Sequence, residues 1–157
     1  MIGDFGVGKT STVAQFVHQA FSEKYLTTVG VKVDTKPITL DDQQEIKLVI
    51  WDIAGTDTAS PGFISYLRGT AGYLLVADCT RNYTLDNALN LQQQLQPQLG
   101  DCPWVGLLNK ADLTDEWDIN EARENAIMTS DNVWLKTSAL TGENVERAFE
   151  TLARAML

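Results

Sequence analysis

The chain has 157 residues, with 12 Lys plus Arg against 21 Asp plus Glu and a formal charge of −9. An apolar share of 44% and a charged share of 21% place it among soluble globular chains of one domain's length and exclude a disordered one. The charge argues against a nucleic-acid backbone or an anionic lipid surface as the main partner, and no stretch approaches the ~18 apolar residues of a membrane span. Cys79 and Cys102 form neither a disulfide framework nor a metal-ligand pattern, and no signal peptide is visible, so a cytoplasmic setting is expected.

Taken in chain order, a glycine loop at 3–8 leads into a predicted helix over 9–20. Strands are predicted at 31–40 and 45–52, on either side of a polar turn. Apolar runs at 73–77 and 104–108 read as buried strands, and 133–135 as a short one. Helices are predicted over 84–98, 119–128 and 143–156, and no linker or repeat divides residues 1–157, which are expected to form one domain. Strand–helix alternation implies an α/β fold, a mostly parallel sheet covered on both faces, with ligands at the carboxyl ends of its strands. The glycine loop needs a strand before it, yet only Met1 and Ile2 precede it. The first, central strand is therefore expected to be truncated, with backbone groups left unpaired at ~1–3 kcal/mol each.

Gly3-Asp4-Phe5-Gly6-Val7-Gly8-Lys9-Thr10 matches G-x-x-x-x-G-K-[ST]. Glycines let the backbone curl so that successive N–H groups from Asp4 to Ser11 point at phosphate oxygens, and the following helix N-terminus adds its dipole. Lys9 can reach the outer phosphates, and the Thr10 hydroxyl can ligate Mg²⁺.

Asp52-Ile53-Ala54-Gly55 ends an apolar strand. Asp52 can hold Mg²⁺ through water, and Gly55 can offer its N–H to a terminal phosphate. Alone, D-x-x-G usually marks a turn. Asn109-Lys110-Ala111-Asp112 follows another apolar strand. Asp112 can accept from guanine N1 and N2, a pair that adenine lacks. Asn109 can tie this loop to the phosphate loop, and the Lys110 stem can cover the purine. Thr137-Ser138-Ala139 follows the third strand, where backbone N–H groups can meet guanine O6. N-K-x-D alone is as compatible with a solvated turn. The four motifs in this order point to GTP and GDP, and a P-loop kinase gives no account of N-K-x-D.

With these residues the chain resembles the Ras superfamily of small GTPases, most closely its Rab branch. The likeness runs over nearly the whole chain and includes FSEKYLTTVG at 21–30 and SYLRGTAG at 65–72. It implies a P-loop NTPase fold, a six-stranded mixed sheet with five helices. It also implies a monomeric molecular switch that hydrolyses GTP. In that family Phe21 would pack on the guanine, Thr28 would meet Mg²⁺ and the γ-phosphate in the GTP state only, and Leu140 would sit beside the base. Effectors, exchange factors and activating proteins would read residues 22–33 and 53–69.

Three departures bear on catalysis. Thr56 and Asp57 stand where the family carries Gln and Glu, and Thr56 is shorter than the Gln that orients water. Phe5 replaces a small loop residue and can crowd the water or an arginine finger, a contribution of ~10³–10⁵ in rate. Pro61-Gly62 interrupts the second switch where a helix is expected. Tight nucleotide binding with slow turnover follows. The alternatives are a GTP-loaded scaffold that does not turn over, and a GTPase domain within a larger protein.

Lesser departures are Leu140 where the family often has Lys, and Val33 where Rab proteins carry Phe. Trp51 and Tyr66 keep the effector-reading aromatic positions, with ordinary packing as the other reading. His18, Arg68 and the two cysteines read as surface or packing residues, and the acidic cluster from Asp115 to Glu124 as a solvated helix start. The chain stops at Leu157 without the prenylated tail usual in relatives, so a membrane anchor is undecided.

Overall fold

In the computed structural model residues 1–24, 27–41, 43–55 and 60–157 are described. The strands among them are β1 (Ile2–Gly3), β2 (Val31–Thr39), β3 (Glu45–Ile53), β4 (Tyr73–Asp78), β5 (Trp104–Asn109) and β6 (Trp134–Lys136). The α-helices are α1 (Lys9–His18), α2 (Pro61–Tyr66), α3 (Asn82–Leu99), α4 (Glu121–Met128) and α5 (Val145–Ala155). The predicted elements recur within a residue or two at most ends. The first helix stops at His18 because Gln19 turns left-handed, at φ 51°, and closes it.

Four parallel strands run in the order β1-β4-β5-β6, and β2 and β3 form an antiparallel pair in full register from Val31↔Ile53 to Thr39↔Glu45. The strand–helix alternation forces the parallel set, because each crossover carries a helix back over a face. β4 shows how both faces are covered. Leu74 and Val76 join a core with Phe16, Phe149 and Leu152, while Tyr73, Leu75 and Ala77 join another with Leu85, Ala88, Leu91 and Leu95. An uninterrupted apolar strand is what such two-sided burial requires. On α3, positions 84, 85, 88, 91 and 95 are the buried ones, a helical stripe.

The expected short first strand is present as two residues, paired as Ile2↔Leu75 and Gly3↔Val76. The main chain of Met1 reaches toward β3. Its amino group donates to Trp51 O at 2.6 Å, and its carbonyl accepts from Ile53 N at 3.4 Å. Beyond it lies a cavity of about 420 Å³, bordered by Leu48, Ile50, Leu74, Phe149, Leu152 and Met156.

The helix-breaking reading of Pro61-Gly62 is corrected. Pro61 occupies the first position of α2, after Ser60 in an extended conformation. At that position a proline's missing N–H is not needed and its fixed φ suits the helix. Phe63 and Leu67 then bury themselves against Ile53 and Tyr73.

The acidic cluster is also more structured than a solvated face. Asp118 Oδ2 accepts from Asn82 N at 2.7 Å, capping α3, and Asn120 Oδ1 accepts from Arg123 N at 2.8 Å, capping α4, which begins two residues later than predicted.

Candidate functional site

The loop between β1 and α1 lies at the carboxyl end of the parallel sheet. Gly8 precedes α1 with φ 99° and no side chain caps the helix, so the first-turn N–H groups that include Ser11 receive no side-chain partner from it. A Cβ on Gly8 would lie 2.3 Å from Asn109 Nδ2. Glycine there admits the Asn109 amide, which donates to Val7 O at 2.9 Å while its Oδ1 accepts from Thr137 at 3.1 Å. Asn109 therefore stitches the phosphate-type loop to the N-K-x-D loop and to the strand end at Thr137.

Lys9 folds back over this loop, donating to Gly3 O at 3.0 Å and Asp4 O at 2.7 Å. Burial lowers its pKa to about 8, against the opposing pull of Asp52 and Asp4. An ammonium desolvated beside loop amides is poised for an anion that restores its charge partner.

Three oxygens meet below Lys9. Thr10 Oγ1 lies 2.5 Å from Thr28 Oγ1 and 2.5 Å from Asp52 Oδ2. The other carboxylate oxygen, Asp52 Oδ1, is buried without a hydrogen-bond partner. Two hydroxyls and a carboxylate with an orphaned oxygen form a hard donor set that fits Mg²⁺, which keeps several waters and takes one or two carboxylates. Gly55 closes over the loop so tightly that a Cβ would lie 2.5 Å from Phe5 N. The space enclosed by Phe5, Gly6, Lys9, Thr28 and Gly55 is about 20 Å³. Phe5 itself is 49% exposed, at the mouth.

The N-K-x-D loop is built with equal care. Lys110 adopts φ 66°, and Ala111 N donates to Thr137 O at 3.0 Å. Ser138 Oγ donates to Asp112 Oδ1 at 2.7 Å, fixing that carboxylate. One expectation changes here. Of the Thr137-Ser138-Ala139 amides foreseen for a base carbonyl, two are engaged within the fold, Thr137 N by Leu108 O at 2.9 Å and Ser138 N by Glu143 O at 3.1 Å. Phe21 and Leu140 are both exposed. Thr56 and Asp57 lie outside the described residues.

Sequence reasoning missed Asp78, Thr80, Arg81 and Asn87. Asp78 has no exposed surface and accepts from Thr80, Arg81 and Lys110. Burial alone would raise its pKa, but the Lys110, Thr80 and Arg81 hydrogen bonds outweigh that and hold it below the usual carboxylate range. An Asp ending a run of apolar strand residues was the available signal.

The aromatic positions singled out in the sequence come together on β2, β3 and α2. Val33 pairs with Trp51 across β2 and β3, and Trp51 lies 6.2 Å from Tyr66, centroid to centroid. Trp51 is 43% and Val33 48% exposed, while Tyr66 packs against the core, so the packing reading holds for Tyr66 and not for Trp51. The remaining bland readings fit what is seen. His18 lies 3.9 Å from Asp34, Arg68 is exposed, and Cys79 is buried.

This fold and these loops define a class, and the sequence places the chain in it: the profile of the Ras family matches residues 1–157, and the chain belongs to that family. It is 35% identical to the Ras-related protein Rab-8B of Homo sapiens over 159 residues, covering 100% of this chain and 76% of that protein. It is likewise 35% identical to Ras-related protein Rab-8A of Bos taurus over 156 residues, covering 98% of this chain and 75% of the relative. Within the family the chain is Rab-like, a GTP-binding switch of the GTPase class. Family members bind GTP and GDP with Mg²⁺. Among the described residues no helix is long and apolar enough to cross a membrane.

Proposed function

We propose that the chain binds GTP and GDP tightly through the residues assembled above, switches between two surface states, and hydrolyses GTP slowly. The observation that carries this reading is the meeting of the Thr10 and Thr28 hydroxyls with Asp52 Oδ2, beside the partnerless Asp52 Oδ1, with Asn109 tying the glycine loop to the N-K-x-D loop. Gly6, Val7, Gly8 and Ser11 present backbone N–H groups to phosphates, Lys9 neutralises the outer ones, and Thr10, Thr28 and Asp52 would hold Mg²⁺. When bound, the metal supplies charge neutralisation across the β- and γ-phosphates. Asp112 reads the guanine amino edge, Ala139 N its carbonyl, and Lys110 and Phe21 flank the ring.

Switching follows from position. Thr28 and Gly55 line the same small space beside the glycine loop, so a terminal phosphate orders both and its loss releases both. Residues 22–33 and 53–69 then present or withdraw the Val33–Trp51–Tyr66 surface to effectors, exchange factors and activating proteins.

Slow turnover rests on two residues. Thr56 is too short to orient the attacking water as a Gln does, and the Phe5 ring stands at the mouth where that water and an arginine finger must enter. Single-turnover hydrolysis by the purified protein tests this. The expected rate is about tenfold or more below that of small GTPases with the usual Gln, and Thr56→Gln, alone or with Phe5→Gly, raises it. A wild-type rate equal to theirs contradicts the slow-turnover reading. GTP retained after purification would favour the non-cycling scaffold.

A further inference from the structure

The start of α3 reaches the back of the phosphate loop, and none of the roles above uses it. The Arg81 guanidinium divides its nitrogens among three partners. Nε donates to Asp78 Oδ2 at 2.9 Å, Nη1 to the Tyr83 hydroxyl at 2.9 Å, and Nη2 to Phe5 O at 3.0 Å. Nη2 lies 3.3 Å from where a Cβ on Gly6 would be. Farther along the helix, Asn87 Nδ2 donates to Asp4 Oδ2 at 2.6 Å. Two consecutive residues of the loop, Asp4 and Phe5, are therefore held from α3.

Asp78 extends the connection. The oxygen that receives Arg81 also receives Lys110 Nζ at 2.8 Å, and the other receives Thr80 N at 2.8 Å and its hydroxyl at 2.7 Å. One buried carboxylate thus joins the phosphate loop, through Arg81, to the base loop, through Lys110.

We propose that Arg81 is a positioning residue that clamps the phosphate loop to the base loop through Asp78 and so lengthens the residence time of bound nucleotide. This inference rests on the reading that the site binds guanine nucleotide. Release requires the glycine loop to loosen its amides from the phosphates. A planar five-donor fork anchored on a buried carboxylate keeps the Phe5 carbonyl, and with it the neighbouring amides, in one orientation. A lysine donates from one nitrogen only, so it cannot span acceptors that the guanidinium reaches from three separate nitrogens. The clamp acts on the bound state rather than on encounter, so its signature is in dissociation.

The test is stopped-flow release of a fluorescent GDP analogue from the Mg²⁺-loaded full chain, chased with excess GDP. Arg81→Ala is expected to release the analogue about tenfold to a hundredfold faster, with the association rate within about twofold. Arg81→Lys should recover only part of the loss. Arg123→Ala is the control. Arg123 grips Asn82 and Asp86 on the same helix without touching the phosphate loop, so it should lower the melting temperature yet leave release unchanged. Release from Arg81→Ala at the wild-type rate overturns the clamp, as does equal acceleration by Arg123→Ala. Should Arg81→Ala fail to fold, wild-type release from Arg81→Lys overturns it instead. Absence of binding by the unaltered chain is a separate result, and it brings down the nucleotide reading itself.

Discussion

Asp112 is where base choice is made at the scale of single residues. Its carboxylate is oriented by Ser138 Oγ at 2.7 Å and can accept two donors from a guanine edge. Asp112→Asn replaces one acceptor by a donor and opposes guanine N1. Competition binding should show affinity for guanine nucleotides falling at least about tenfold, as expected for a lost hydrogen bond to a charged group, while xanthine nucleotides gain. Unchanged guanine preference would contradict the assignment. Motif residues of this kind were legible in the sequence because chemistry fixes both their type and their spacing. Arg81 and Asp78 were not, since an arginine after a strand has no fixed meaning until the fold brings Phe5 O within 3.0 Å of it.

Among elements, α1 is held by packing at Phe16. Phe16 stacks on Phe149 of α5 at 3.8 Å between ring centroids, and Lys36 of β2 lies over its ring at 3.9 Å while donating to its carbonyl at 2.7 Å. One side chain thus fastens the helix that follows the phosphate loop to two neighbours. Phe16→Ala is expected to cost about 3–5 kcal/mol of stability by denaturant unfolding. A loss under about 1 kcal/mol would show that α1 is held elsewhere. The periodicity of α3 and α5 was plain in the sequence. α2 was not, because proline and glycine disfavour a helix interior, and only the extended Ser60 before Pro61 shows that the proline opens the helix.

At the scale of the whole molecule, the Met1 main chain links the parallel sheet to β3 through Trp51 O and Ile53 N. Burial pushes the Met1 amino group down to about 5 from its ordinary 8.0, with Asp52 opposing and Lys9 adding to the shift. The unfolded chain therefore holds that proton across the window from pH 8 to 5 while the folded one does not. Stability should fall as pH drops through it. Acetylating the amino group should flatten the dependence of melting temperature on pH between those values, and an unchanged slope would contradict this account. The cavity of about 420 Å³ beside Met1 is apolar and flanked by strand edges. The α/β class followed from strand–helix alternation, whereas the order β1-β4-β5-β6 beside a separate β2-β3 pair did not.

The most direct measurement is equilibrium titration of the purified chain with GDP, GTP and ATP, each with and without Mg²⁺. Both guanine nucleotides should bind tightly with the metal and more weakly once it is chelated, and ATP should bind at least about a hundredfold more weakly than GTP, as two unmatched hydrogen bonds at the Asp112 carboxylate would impose. Equal binding of GTP and ATP, or no binding of either, would contradict it.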